Sequence, residues 1–197
     1  GSDPFPLRER LSSLPEDFLC LCPAGIRPVK GVLELIAMCE PLLREGRRLH
    51  LAFCGPILDE DYGERFLGAV AACSWATWLG TIPPTAMPAA LRQADVIVSN
   101  AYSEGLPNVL VEALVLGRPV VARDIPGNAA VVADGVNGLL YHDEAGFCSA
   151  IRRLQDEPAL RTALAHPDAE RFAPGHEIDA LEAICRSILD DPAAATG

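Results

Sequence analysis

The chain has 197 residues, half of them hydrophobic, and a formal net charge of −11. This length suffices for one α/β domain that needs no disulfide, because a domain of this size buries roughly 70% of its unfolded surface. The acidic balance argues against a nucleic-acid-binding face, since phosphate backbones are held by clustered lysines and arginines.

The first 17 residues are predicted to be a linker, or a short lead-in to the domain. They contain three prolines and charges of both signs, and they begin with Gly1-Ser2 instead of an initiator methionine. A Gly-Ser start is typical of a chain from which a purification tag has been removed. We therefore expect a fragment of a longer protein that lacks a further domain.

From residue 18 to residue 141, short apolar runs alternate with amphipathic stretches, which is typical of βαβ units around a parallel sheet. The predicted strands are Phe18 to Cys22, Leu49 to Cys54, Ala76 to Leu79, Val96 to Ser99, Val120 to Ala122 and Gly138 to Tyr141. The predicted helices are Val32 to Glu45, Asp61 to Ala72, Ala86 to Gln93, Pro107 to Leu116, Asn128 to Ala133 and Glu144 to Asp156. The pattern predicts an α/β fold with a doubly wound, Rossmann-like parallel sheet.

Beyond residue 141 the pattern predicts helices only, up to about Leu189. A break is expected from Phe172 to Gly175, where proline and glycine interrupt the chain, and a last helix is expected to begin near His176. Residues 191–197 are predicted to be a disordered tail. The domain itself should therefore occupy residues 18–190.

Neither a membrane segment nor a metal site is predicted. No apolar run reaches the roughly 20 residues of a membrane span, and the N-terminus lacks the pattern of a signal peptide. The seven cysteines include no C-x-x-C pair, and the four histidines lack a metal-ligand spacing. We expect a cytoplasmic protein with buried, reduced thiols.

The loop after the first predicted strand is one candidate ligand site, because ligands of open parallel sheets bind beyond the carboxyl ends of the strands. It runs Pro23-Ala24-Gly25-Ile26-Arg27-Pro28-Val29-Lys30-Gly31. Charge-assisted hydrogen bonds from Arg27 and Lys30, together with a helix N-terminus, suit an anion. The loop has neither a Walker pattern nor G-x-G-x-x-G, so a surface loop with two solvated cations is an equally good interpretation.

The segment Ser103 to Ala113, S-E-G-L-P-N-V-L-V-E-A, is a more specific candidate. Gly105 permits close approach of the backbone, Pro107 suits the first turn of a helix, and the free amides there would point toward a cleft. Glu104 and Glu112 can then face one bound molecule, and as acceptors they suit hydroxyl-rich partners such as a ribose and a hexose. The alternatives are a carboxylate near the helix N-cap, favoured by the helix dipole, for Glu104 and a solvated face for Glu112. An unpaired carboxylate at Glu112 would be costly in so apolar a helix.

These segments resemble a known family. Glu104 to Glu112 is similar to the E-x7-E motif of retaining GT-B glycosyltransferases, the glycosyl transferases group 1 family. Similar family segments, in the same order and spacing, are found at Gly25 to Gly31, Trp78 to Ile82, Ala113 to Ala122 and Asp134 to Leu140. The resemblance covers about residues 18 to 190 and implies the C-terminal, donor-binding half of a GT-B fold.

The resemblance also implies roles for the site residues. Arg27 and Lys30 would bind the donor diphosphate and stabilise the leaving group, and Glu104 would hold hydroxyls of the transferred sugar, so these three are the expected catalytic residues. Glu112 would accept from the ribose hydroxyls. Ile82 would contact the base largely through the main chain, and Gly105 and Leu106 would offer backbone amides to sugar or phosphate. The full set of remaining substrate-binding residues is Gly25, Ile82, Gly105, Leu106, Pro107, Asn108, Gly127 and Asn128.

The chain departs from the family at Pro126-Gly127-Asn128-Ala129-Ala130, where most relatives carry two glycines and then a glutamate. The amides of Gly127 and Asn128 could still face a donor. The missing carboxylate leaves the selectivity for the sugar open.

The implied function is the binding of a UDP-, GDP- or ADP-linked sugar for metal-independent, retaining glycosyl transfer. The nucleotide sugar is a substrate, and no cofactor is implied. An acceptor and a histidine near the reacting carbon would belong to an N-terminal domain absent from this chain, so the fragment alone should transfer little or no sugar.

Other functions remain open on the sequence. A non-catalytic nucleotide-sugar sensor or scaffold derived from a transferase would keep the same charged residues. Nonhydrolysing sugar-nucleotide epimerases and glycogen-phosphorylase-like enzymes share the architecture, although no lysine suits attachment of pyridoxal phosphate. An α/β domain without a small-molecule site is the last alternative.

Overall fold

The computed structural model describes residues 3–11 and 13–166. Its strands are β1 (Phe18–Pro23), β2 (Leu49–Cys54), β3 (Ala76–Trp78), β4 (Val96–Ser99), β5 (Val120–Arg123) and β6 (Leu139–Tyr141). Its α-helices are α1 (Val32–Arg44), α2 (Glu60–Ala71), α3 (Met87–Gln93), α4 (Asn108–Val115), α5 (Pro126–Ala129), α6 (Glu144–Asp156) and α7 (Pro158–Leu164). Short 3-10 helices lie at Arg8–Arg10 and Pro28–Lys30.

The six strands form one parallel sheet in the order β3-β2-β1-β4-β5-β6. The chain winds outward from β1 to β3, crosses back to β4 beside β1, and winds outward again on the other side. The connections after β1 and β4 therefore diverge and leave a crevice at the carboxyl ends of these two strands. The predicted α/β, doubly wound, Rossmann-like fold is confirmed.

Helices cover both faces of the sheet, which is why the central strands are apolar on both sides. Cys20 and Phe53 face the layer of α1, α2 and α6, whereas Leu21 and Ala52 face the layer of α3 and α4. The Phe53 ring packs edge-on against Phe66 of α2, with 5.0 Å between ring centroids. Two cores on opposite faces thus hold the strand ends in fixed positions.

The N-terminal lead-in is packed against the domain. Phe5, Leu7 and Leu11 are buried in the core on the side of α3 and α4. Arg8 donates to Asp95 at 2.8 Å, just before β4 begins. The described part of the lead-in thus contributes to the fold.

The fifth helix differs from its prediction over Asn128 to Ala133. It spans Pro126–Ala129, because Pro126 occupies its first turn after extended Ile125. The predicted break at 172–175, the last helix near His176 and the tail at 191–197 lie outside the described residues.

The described cysteines are free thiols, and all but Cys73 are buried. Burial raises the pKa of Cys54 to about 12. Cys185 lies outside the described residues. Within residues 3–11 and 13–166, no helix is long and apolar enough to cross a membrane.

Candidate functional site

A cavity of about 390 Å³ opens at the carboxyl end of the sheet, at the crevice between β1 and β4. The loops after β1, β2, β3 and β4 and the first two turns of α4 line it. Charged side chains of Lys30 and Glu104 line it, and so do Ile82 and Pro84 from the connection after β3 and Met87 at the start of α3. The cavity therefore combines charged groups with an apolar surface.

The loop after β1 is fixed by the loop after β2. The Ala24 amide donates to the Cys54 carbonyl at 2.8 Å, and the Ile26 amide donates to the Pro56 carbonyl at 2.8 Å. Gly55 has a φ of 141° and packs so closely on Ala24 that a Cβ would overlap the Ala24 carbonyl. Only glycine suits this position, so the wall of the cavity beside Gly25 is rigid.

The turn Pro28–Lys30 presents Lys30 to the cavity. It ends at Gly31, which has a φ of 57° and directly precedes α1. A Cβ on Gly31 would lie 2.7 Å from the carbonyl oxygen of Asn100. The left-handed turn and the close contact with Asn100 together require glycine after Lys30.

The side chains of Lys30 and Glu104 form an ion pair across the cavity, in which Lys30 Nζ donates to Glu104 Oε2. The two side chains are only 17% and 20% exposed. Lys30 is also the only lysine of the chain. The two loops that the sequence indicated are thus in direct contact through their charged groups.

Glu112 lines the cavity from the second turn of α4. Much of the residue is exposed, yet partial burial of the carboxyl group raises its pKa. This carboxyl group is well placed to accept hydrogen bonds from hydroxyl groups of a molecule in the cavity.

Eight of the residues predicted from the sequence line this one cavity. They are Gly25, Lys30, Ile82, Glu104, Leu106, Pro107, Asn108 and Glu112. Ile82 and Pro107 are buried, whereas Leu106 is 59% exposed at the mouth of the cavity.

Four predicted residues do not line the cavity among the described residues: Arg27, Gly105, Gly127 and Asn128. Arg27 and Gly105 are exposed. A Cβ on Gly127 would overlap the carbonyl oxygen of Glu104, so Gly127 supports the turn that carries Glu104. The Asn128 side chain is fully buried and donates to the Arg123 carbonyl at 2.9 Å. That the amides of Gly127 and Asn128 face a donor stays a prediction.

The sequence reasoning missed a polar network at the floor of the cavity, which Asn100 itself lines. Asn100 directly follows β4, Arg123 ends β5 and Tyr141 ends β6. The Arg123 and Tyr141 side chains both donate to the side-chain oxygen of Asn100. A signal was available, because Asn100 and Arg123 are polar residues at the carboxyl ends of apolar strands. Their meeting depends on strand order, which the sequence pattern does not contain.

The family model described as "Glycosyl transferases group 1" matches residues 17–157 of the chain. Glycosyltransferase 1 domain-containing protein 1 of Xenopus tropicalis is 28% identical over 155 residues, which cover 79% of this chain and 44% of that protein. D-inositol 3-phosphate glycosyltransferase 1 of Catenulispora acidiphila is 33% identical over 202 residues, covering 93% of this chain and 47% of that protein. The chain spans less than half the length of these relatives.

Two solved structures have a similar fold. HepE of Anabaena, in complex with UDP and glucose, has a TM-score of 0.71 at 21% identity. The match covers 86% of this chain and 48% of the HepE chain. Sucrose-phosphate synthase of Thermosynechococcus elongatus has a TM-score of 0.75 at 22% identity. The match covers 93% of this chain and 48% of the synthase chain. These likenesses show the Rossmann-like α/β fold found in GT-B glycosyltransferases.

Proposed function

We propose, from the premise that the chain belongs to the glycosyl transferases group 1 family, that it is the donor-binding domain of a GT-B glycosyltransferase. Its cavity would hold a nucleoside-diphosphate sugar. The observation that carries this proposal is the ion pair of Lys30 and Glu104 in a crevice at the switch point of the sheet. A cation for a diphosphate and a carboxylate for hydroxyl groups meet where α/β sheets bind ligands.

The charged groups suggest how the donor lies. Lys30 would bind the diphosphate, and Arg27 would reach it from the exposed rim. Both cations would neutralise charge that develops on the departing nucleotide, which is the main catalytic effect proposed for the site. Glu104, released from Lys30 by the diphosphate, would accept from hydroxyls of the transferred sugar.

The nucleoside would occupy the rest of the cavity. Glu112 would accept from the ribose hydroxyls, and the base would lie near Ile82, Pro84 and Met87, whose apolar atoms suit the face of a ring. The amides of Gly105, Leu106, Gly127 and Asn128 would be available to sugar or phosphate oxygens. No metal or cofactor takes part in this proposal.

We further propose that transfer proceeds with retention of the anomeric configuration. The chain matches less than half the length of its relatives, and an acceptor-binding domain would supply the rest of the active site. The donor domain alone would then bind nucleotide sugars with little or no transfer. Multiple turnovers by this chain with a nucleotide sugar and an acceptor would contradict that part of the proposal.

A thermal-shift screen tests the proposed function. UDP, GDP, ADP and their sugars are each added, and the melting temperature is recorded. A ligand at 100 times its Kd stabilises the folded state by about 2.7 kcal/mol. For a domain of this size that raises the melting temperature by about 5 to 11 °C. If none of these nucleotides at millimolar concentration shifts the transition, the proposed function is wrong.

Affinity for UDP-glucose is expected to rise with pH as Glu112 ionises. Burial raises the pKa of Glu112 above its ordinary value of 4.5, so the folded protein keeps this proton to a higher pH than the unfolded chain. The protonated Glu112 carboxyl group therefore contributes fully to the stability of the fold below its ordinary pKa. This contribution is lost as the pH rises through the pKa of the folded state. Hydroxyl groups of the ligand that donate to Glu112 favour its ionised form. The affinity for the ligand therefore rises with pH, whereas the stability contribution of Glu112 falls.

Calorimetric titration of UDP-glucose across this pH interval checks the expectation, because its diphosphate is a diester that does not titrate there. The Glu112→Gln variant should bind more weakly at high pH and should lose the rise in affinity. Parallel pH profiles for the wild type and the variant would show that Glu112 does not bind the ligand.

A further inference from the structure

Three polar side chains meet at the ends of neighbouring strands, directly beneath the turn that carries Lys30. The Asn100 side-chain oxygen accepts from Arg123 Nη2 at 2.8 Å, from Arg123 Nε at 3.1 Å and from the Tyr141 hydroxyl at 2.8 Å. Asn100 and Tyr141 are each 1% exposed. Buried polar groups in a fully bonded network are held in one arrangement.

The arginine determines which way the Asn100 amide points. Its two N–H donors and the Tyr141 hydroxyl lie on one side of the amide, so the oxygen must face them and the NH₂ group must face away. On the other side, Asn100 Nδ2 donates to the Gly31 carbonyl at 2.7 Å. An inverted amide would place an oxygen against that carbonyl, which is unfavourable.

The bond to Gly31 fixes the turn that carries Lys30. Gly31 follows Lys30 directly, and the same strand connection provides a second bond, from the Tyr102 amide to the Val29 carbonyl at 2.8 Å. The Tyr102 ring in turn lies under the Arg123 guanidinium, 4.6 Å from its centroid. The position of the Lys30 backbone thus depends on residues just after β4 and at the end of β5, which are remote from Lys30 in sequence.

Arg123 also contacts the other half of the site. Its carbonyl accepts from the buried Asn128 side chain at 2.9 Å. The neighbouring Gly127 packs against the carbonyl of Glu104. A single residue at the end of β5 is therefore connected to both turns whose charged groups form the ion pair.

We propose that Arg123, acting through Asn100, is a positioning residue that sets Lys30 in place to bind the diphosphate of the donor. This inference rests on the proposed function. Arg123 does not line the cavity among the described residues, so its effect is transmitted through Asn100 and Gly31. A displaced turn would weaken the contact with the second phosphate and leave the nucleoside contacts unchanged.

The test is the ratio of the affinities for UDP and UMP, measured by calorimetry. We expect Asn100→Ala and Arg123→Met to lower UDP affinity about tenfold, the loss of one charge-assisted hydrogen bond, and to change UMP affinity less than about twofold. Asn100→Ala keeps the charge of Arg123, and Arg123→Met changes a residue outside the described lining of the cavity. The two variants together therefore separate the position of Lys30 from the charge of Arg123 and from a direct contact of Asn100 with the ligand. Arg123→Lys keeps the charge on a single donor nitrogen and should restore part of the preference for UDP over UMP.

A matched control stands at the other end of the same strand. Arg118, just before β5, donates to the Ala94 carbonyl and is remote from the cavity. Arg118→Met should lower the melting temperature and leave the ratio unchanged. A purely structural role for Arg123 would give the same result in Arg123→Met. That outcome, or a ratio preserved in Asn100→Ala, would overturn the inference.

A double-mutant cycle keeps the inference separate from the proposed function. If Asn100 acts through Lys30, Asn100→Ala should not lower UDP affinity further when Lys30 is already alanine. Additive losses in this cycle would overturn the inference alone. If the wild type shows no preference for UDP over UMP, or Lys30→Ala leaves the preference intact, the proposed function itself fails.

Discussion

Replacing Lys30 with alanine is expected to lower the affinity for UDP at least tenfold. Its ammonium group is the basic group that lines the cavity among the described residues, and it is largely covered there. A charge-assisted hydrogen bond contributes about 1.5–3 kcal/mol, and each 1.4 kcal/mol is about tenfold in Kd. Calorimetric titration of the wild type and Lys30→Ala with UDP measures the loss.

Two further variants show whether this loss comes from the diphosphate contact. Arg27→Ala should act in the same direction as Lys30→Ala, and an unchanged affinity would remove Arg27 from the site. Glu104→Gln should act differently, because Glu104 competes with the diphosphate for Lys30. We expect it to preserve or increase UDP affinity and to reduce the preference for UDP-glucose over UDP. A loss of UDP affinity in Glu104→Gln would contradict this competition.

Gly127→Ala is expected to damage both the stability of the domain and its affinity for UDP-glucose. The new Cβ would overlap the Glu104 carbonyl and lie 2.9 Å from the Gly105 carbonyl, and neither backbone atom can move without displacing the turn that carries Glu104. Overpacking of this kind costs about 1–3 kcal/mol. Alanine gains at most about 1 kcal/mol over glycine in a helix, so the clash outweighs it.

For a domain of this size, that cost lowers the melting temperature by about 2 to 12 °C. Gly105→Ala is the matched control, because a Cβ there meets no described atom within 4 Å and the backbone φ is not positive. It should melt near the wild-type temperature. If Gly127→Ala matches the wild type in melting temperature and in UDP-glucose affinity, the packing of Gly127 under Glu104 is not what holds the turn.

Much of the fold follows from the sequence pattern. The strands were predictable because buried parallel strands are apolar on both faces, and their ends fall within about a residue of the predicted bounds. The bounds of helix α5 were not predictable. The helix has only four residues, which are too few to show a helical period, and it begins at a proline. The strand order was not predicted, because the pattern contains no information on which strands pair.

The candidate site was predictable where a single loop carries the signal. Lys30, Glu104 and Glu112 were found from their own segments, and the structure brings them to one cavity. The Asn100 network was not found, because Arg123 and Tyr141 are 23 and 41 residues away from Asn100 in sequence. Contacts of that range follow from the sheet topology and leave no local pattern.

Because Lys30 is the only lysine of the chain, an amine-directed isotope label reaches a single side chain. Reductive methylation with ¹³C-formaldehyde would give one dimethylammonium resonance from Lys30, besides that of the chain's terminal amine. For each added nucleotide, its chemical shift would report directly whether the contact with Glu104 opens. The measurement needs neither resonance assignment nor a reporter substitution.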